Sequence, residues 1–302
     1  MRFSSPRWRF RNGAYAPTLA LLLAAAVIMT ACERAPAGLK SGGRPSGAAS
    51  PDAPAPLQKP VPHVFLIVME NRSLDRALAM PYVSQLAARS AVATDYHAVA
   101  RPSLPNYLAL TSGSTWNITD NGYHPLPAGG IGSQLTAHGL PWRAYMEGMT
   151  GSCLSDGGRY AVKHNPFAYY GGGCPGNVVP LTALDADLAS GEPVFSWITP
   201  DLCHDGHDCG AQQSDDFLRR LVPRILDSPG WRQDGLLLIT WDEDDGSAGN
   251  RVLTLAVGPR LTARRTDRRY DHYSLLAAVE DRLGLSRLGN AAQANPLTEL
   301  LG

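Results

Sequence analysis

Three stretches of the chain concentrate oxygen ligands: Glu70-Asn71, Asp201 through Asp208, and Asp242-Glu243-Asp244-Asp245. Carboxylate and amide oxygens suit hard divalent cations, and nearby imidazoles extend the choice to zinc, iron or manganese. His207 and His272 are the best-placed imidazoles. Each has a neighbouring acid, Asp208 and Asp271, that could supply a ligand or orient the ring. The acids of 242–245 are consecutive rather than alternate, so this is no EF-hand loop. A fourth stretch, Arg101-Pro-Ser-Leu-Pro-Asn-Tyr-Leu-Ala-Leu-Thr-Ser-Gly113, places Ser103 at the start of a short helix, with Pro105 tolerated in its first turn. There the free N–H groups and the positive helix end attract phosphate oxygens, and contact with a cation makes a serine a competent nucleophile. On local sequence alone a plain N-cap is the favoured role for Ser103.

These residues act together only if the fold brings them together. Each acid cluster follows an apolar run: His63-Val-Phe-Leu-Ile-Val-Met69, Val194-Phe-Ser-Trp-Ile-Thr199 and Gly235-Leu-Leu-Leu-Ile-Thr-Trp241. Runs that are continuous rather than alternating predict strands buried on both faces. Val252 to Val257 predicts another strand, and Tyr82–Ala91, Phe217–Ile225 and Ser274–Leu283 have helical spacing. Strands alternating with helices predict an α/β fold with a mostly parallel central sheet. Such sheets bind ligands beyond the carboxyl ends of their strands, so three acid-rich ends should gather at one edge. The competing reading makes each cluster an ordinary polar turn.

The first 31 residues carry Arg2, Arg7, Arg9 and Arg11 and no acid, then the apolar run Leu19–Met29 and Thr30-Ala31-Cys32. This predicts export. The ending resembles the lipobox of bacterial lipoproteins, which would attach Cys32 to a membrane and place the protein in the cell envelope, periplasmic or at the outer membrane. A cleaved signal and a single membrane anchor are the alternatives. Residues 33–62, rich in Ala, Pro, Gly and Ser, are expected to form a tether, with the folded domain at 63–302. Beyond residue 31 stand 23 basic against 27 acidic residues, a balance with no electrostatic footprint for nucleic acid. Cys153, Cys174, Cys203 and Cys209 are even in number in an oxidising compartment. Local pairing, 153 with 174 and 203 with 209, is the simplest of three connectivities, and a Cys/His zinc site around 203–209 is the competing explanation.

Four segments carry a family resemblance: Val68-Met-Glu-Asn-Arg-Ser73, Ile198-Thr-Pro-Asp-Leu-Cys-His-Asp-Gly-His-Asp-Cys209, Thr240-Trp-Asp-Glu-Asp-Asp-Gly246 and Tyr270-Asp-His-Tyr-Ser-Leu-Leu276. They resemble the phosphoesterase family of bacterial phospholipases C and acid phosphatases, which is similar in fold to the alkaline phosphatase superfamily. The resemblance implies an alkaline-phosphatase-like sheet with helices on both faces, and a metal-dependent phosphoric ester hydrolase using a divalent ion of unspecified identity. It assigns Glu70, Asn71, Asp242 and Glu243 to the metal and Ser103 to nucleophilic attack through a phosphoserine. Asn106 would hold a phosphate oxygen, Asp205 would lie near the substrate, and His207 or His272 would protonate the leaving group. Asp201 stands where asparagine is frequent, and Asp244-Asp245 where phospholipases often have glycines. With no evident C-terminal lipid-binding module, a phosphomonoesterase acting on a small phosphate ester is the first expectation. A phospholipase C or other phosphodiesterase is the second, and a non-catalytic surface lipoprotein the third.

Overall fold

The computed structural model describes residues 62–191 and 193–302. The export segment of residues 1–32 and all but the last residue of the 33–62 tether lie outside them. Among the described residues no helix is long and apolar enough to cross a membrane.

Nine strands form one sheet: β1 His63–Met69, β2 Ala91–His97, β3 Trp142–Met146, β4 Val178–Pro180, β5 Phe195–Thr199, β6 Gly235–Trp241, β7 Arg251–Val257, β8 Arg264–Thr266 and β9 Tyr270–Asp271. Eight of them stand in the order β4-β3-β5-β1-β6-β7-β2-β8, and β9 also pairs with β2. The expected strands sit together at the centre, with β5, β1 and β6 adjacent and parallel. Every residue of β1 and β6 is buried, as continuous apolarity requires, and each such aliphatic side chain contributes about 1.5–3 kcal/mol. β7 is the exception to parallel order and runs against both β6 and β2. The 242–250 segment is therefore a hairpin loop rather than a strand-to-helix turn.

Helices pack as two groups. Pro81–Ala88 meets Ala211–Leu226, and Ser103–Ser112 meets His272–Leu283. The first of these ends before Ala91, which the sequence reading placed in a helix and the structure places in β2. Disulfides join Cys153 to Cys174 and Cys203 to Cys209, so no thiol among these four is left for zinc.

Candidate active site

Register decides what meets at the sheet edge. Met69 pairs with Trp241, so the next residues, Glu70 and Asp242, leave the sheet side by side, both fully buried. Asn71 then takes a left-handed conformation, φ 51°, which asparagine tolerates better than most residues. That turn aims its backbone N–H at Asp242 Oδ1, 3.0 Å away, and lets its side-chain amide donate to Glu70 Oε2 at 3.1 Å. The loop after β5 joins them when the Glu70 N–H donates to the Asp205 carbonyl at 3.0 Å. Gly206, at φ 105°, reverses that loop where a Cβ would come within 3.2 Å of the Glu70 carbonyl. Asp205 thereby turns inward, and the neighbouring His207 stays exposed.

Ser103 is not an N-cap. Pro102 occupies the cap position, Ser103 is the first helical residue, and the free Leu104 N–H at this end goes to the Asn121 side chain rather than to Ser103. The Ser103 hydroxyl instead donates to Glu70 Oε2 at 3.1 Å, so the serine faces the acids.

Between the acids lies His164, which the sequence reading passed over. It is buried and stacked on Tyr107, with Nε2 3.0 Å from Glu70 Oε1 and Nδ1 3.1 Å from Asp205 Oδ2. Burial holds this imidazole well below its ordinary pKa, helped by the charge of Lys163. A neutral imidazole has one N–H for two carboxylates, so one ring nitrogen turns its lone pair toward a carboxylate oxygen. Burial and mutual repulsion likewise push the Glu70 carboxyl well above its usual value, burial raises Asp205 and Asp242, and Glu243 is pushed up to about 7 by burial and then by Asp242. Glu70 Oε1, His164 Nε2, Asp205 Oδ2, Asp242 Oδ2 and Glu243 Oε2 are buried without a hydrogen-bond partner. A set of buried carboxylates with unpaired oxygens fits a cation. Glu70, His164 and His207 each offer one ligand atom within 4.8 Å of the others.

The remaining acids have other work. Asp244 accepts from the N–H groups of Gly246, Ala248 and Asn250 and pairs with Arg101, and Asp245 pairs with Arg76. Arg101 also reaches Glu243 at 3.5 Å, tying the hairpin loop to the segment that leads into Ser103. Glu147, Asp201 and His204 form a second cluster, closed by its own hydrogen bonds: His204 Nδ1 lies 2.9 Å from Glu147 Oε2, which also accepts from the Asp201 N–H.

Three expectations change. Asn106 does not face a phosphate: its Oδ1 accepts from the N–H groups of Val99 and Ala100, and its Nδ2 donates to the carbonyls of Ala100 and Pro102, so the amide is spent on its own loop. Asp205 does not face an anion-binding surface: it is a buried carboxylate 3.1 Å from His164 and close to the acids Glu70 and Asp242, surroundings that would repel a substrate anion. His272 is fully buried and has no free nitrogen. Its Nε2 faces the Asp242 carbonyl at 2.6 Å and must be the N–H, so Nδ1 accepts from the Tyr96 hydroxyl at 2.9 Å, and burial lowers its pKa to about 4. Asp271 caps the helix at Ser274 rather than orienting this ring. At His207 the Asp208 carboxylate lies 2.7 Å from Nδ1 and the Lys163 ammonium 2.8 Å from Nε2. Lysine only donates, so the Nδ1 hydrogen belongs to the Asp208 contact. Lys163 is the one lysine among the described residues, a signal the sequence offered and strand-end reasoning did not use.

The phosphoesterase family model matches residues 76–286. The chain is similar to the phosphatidylinositol-3-phosphatase of Mycobacterium tuberculosis, 32% identical over 251 residues, covering 80% of this chain and 83% of that protein. It is also similar to a probable acid phosphatase of Kluyveromyces lactis, 30% identical over 74% of this chain but only 59% of that protein. In fold it resembles a protein of the alkaline phosphatase superfamily from Vibrio parahaemolyticus, TM-score 0.57 at 14% identity, covering 78% of this chain and 70% of the other. The lipoteichoic acid synthase LtaP of Listeria monocytogenes gives 0.52 at 9% identity, covering 78% and 76%. With its motifs in order on this sheet edge, the chain belongs to the phosphoesterase family.

Proposed function

We propose that the chain is a cation-dependent phosphomonoesterase that works through a phosphoserine at Ser103. Membership of the family already makes it a phosphoric ester hydrolase. The observation that supports the finer reading is the Ser103 hydroxyl 3.1 Å from Glu70, beside buried carboxylate oxygens that have no hydrogen-bond partner. Glu70, Asp242, Asp205 and His164, with Asn71 and Glu243 at the rim, would hold the cation. Bound there, a divalent ion supplies positive charge that activates the serine and offsets the charge of the phosphate oxygens. Ser103 Oγ attacks phosphorus and the ester oxygen leaves; water then releases phosphate from the serine. The leaving oxygen takes its proton from the side of the site where His207 and Lys163 meet. His272 is a positioning residue under the Asp242 loop.

The reading extends to an exported enzyme anchored at Cys32, which mass analysis of the mature N-terminus would check. A monoester is preferred over a diester because the relatives are named phosphatases; comparing a monoester with a phosphocholine diester separates the two. The central test is Ser103→Ala. The variant loses one hydrogen bond to Glu70, so it should stay folded with about 1 kcal/mol less stability and keep its metal content while turnover falls by about 10³-fold or more. Ser103→Thr should keep partial activity. Retention of more than about a tenth of turnover in Ser103→Ala, a barrier change under ~1.4 kcal/mol, would assign attack to another group.

A further inference from the structure

A cleft of about 380 Å³ opens at the His207–Lys163 side of the site. Its inner end belongs to the site: His207 and Lys163 line it, and so does Asn121, whose side-chain oxygen accepts the N–H of Leu104 at 3.0 Å, one residue after the serine. Its walls are of another character. Tyr123, Tyr160, Tyr169 and Leu154 supply rings and an aliphatic surface, and Asp156 supplies a negative charge. Sites for organic molecules are clefts of about 300–1,000 Å³, mostly apolar and aromatic with a few fixed polar groups, whereas inorganic phosphate alone needs no such room.

The rings are held in place. The Tyr160 hydroxyl donates to the Cys153 carbonyl at 2.7 Å and accepts from the Asn165 amide at 2.8 Å. The Tyr123 hydroxyl donates to the Ala168 carbonyl at 3.1 Å, and its ring stands 5.2 Å from that of Tyr169, tilted by 39°. Yet Tyr123 is 45% exposed, an anchored ring that offers the cleft open aromatic surface, while Tyr160 and Tyr169 are buried behind it and present only their edges. Across Gly157 and Gly158 the floor is open, because a Cβ at either would meet nothing within 4 Å.

We propose that this cleft receives the leaving group of the substrate and selects phosphate monoesters of aromatic alcohols, in which a planar ring is bonded directly to the ester oxygen. The ring goes to Tyr123 because flat faces stack on flat faces, and it goes there directly because the cleft begins at the groups that meet the leaving oxygen. Asp156 turns away leaving groups that carry a second phosphate. This assignment rests on the Ser103 reading above.

The test compares phenyl phosphate with glycerol phosphate in the full chain supplied with a divalent ion, for wild type, Tyr123→Ala and Leu154→Ala. Taking the ratio of the two kcat/KM values, and then comparing variants, cancels the greater intrinsic reactivity of the aryl ester. Either variant should lower that ratio about tenfold, chiefly through KM for phenyl phosphate, and Tyr123→Phe should restore it. As a binding measurement without turnover, phenylphosphonate should bind the Ser103→Ala protein about tenfold more tightly than methylphosphonate, with Tyr123→Ala closing the gap. Hydrolysis of both esters with the ratio unmoved in both variants overturns the cleft assignment and leaves the serine reading standing. No hydrolysis of either ester, with metal bound and the protein folded, overturns both.

Discussion

The imidazole of His272 lies under the hairpin loop and donates from Nε2 to the main-chain carbonyl of Asp242 at 2.6 Å. Its other nitrogen is engaged by Tyr96, so the ring is a prop for the residue proposed to hold the cation. His272→Ala should cost about 2–4 kcal/mol of stability, because a buried carbonyl and a buried hydroxyl lose their partner and a cavity opens. Denaturant unfolding measures this. A proton donor would also make the loss of rate grow with the basicity of the leaving group. A positioning residue should reduce the rate by the same factor across a series of substituted phenyl phosphates, and a slope that steepens in the variant would return His272 to the chemistry.

Removing the cation should destabilise the protein as well as stop hydrolysis. Glu70, Asp205 and Asp242 repel one another in a buried site, so a chelator should lower the melting temperature, and restoring a divalent ion should raise it again. Glu70→Gln removes one charge from the set and one ligand from the cation. It should bind less metal, and the gap in melting temperature between chelated and metal-restored protein should shrink. A variant that keeps full metal content and the full gap would move the cation elsewhere.

Glu280 offers a pH prediction away from the site. This carboxyl is buried on the His272–Leu283 helix, with Oε1 accepting the Leu288 N–H at 2.9 Å and Oε2 unpartnered. Burial pushes it up from 4.5 to about 8. Between those values the folded chain keeps a proton that the unfolded chain has lost, so this group makes stability fall as pH rises. The effect is absent below pH 4.5 and complete above pH 8. Glu280→Gln should therefore match wild type at low pH and become the more stable protein as pH climbs through that window, followed by thermal melts. Parallel melting curves for the two proteins across pH 5 to 9 would show that Glu280 ionises freely.

What the sequence made legible is the part of the fold that hydrophobicity writes directly. The runs 63–69, 194–199 and 235–241 are apolar without interruption because their strands are covered on both faces, and the acids that follow them could only emerge at one edge. Ala91–His97 carries Thr, Asp, Tyr and His within its seven residues and leaves three of them half-buried, so no such run marks it as a strand. The direction of β7 is set by its partners and has no local signature. Within the site, Glu70 and Asp242 were found because register carries them, whereas Lys163 and His164 come from a short 3-10 turn, Val162–His164, that follows no strand. The phosphate role of Asn106 came from the family resemblance alone, and an asparagine amide suits a loop clamp as well as it suits an anion. Only its four hydrogen bonds tell the two apart.

The Cys153–Cys174 bond gives the segment between β3 and β4 a property of its own. With its ends fastened to each other, Cα atoms 5.7 Å apart, the segment is built like an exchangeable cassette. It carries Asp156 and Tyr160 toward the cleft and His164 toward Glu70. The proposed leaving-group cleft and the proposed cation site would therefore be selected as one inherited unit. Random libraries confined to residues 154–161 should yield altered substrate preference with metal affinity preserved. Extending them over 163 and 164 should make each gain in preference arrive with a change in metal requirement, so directed evolution of this enzyme should stop short of Lys163.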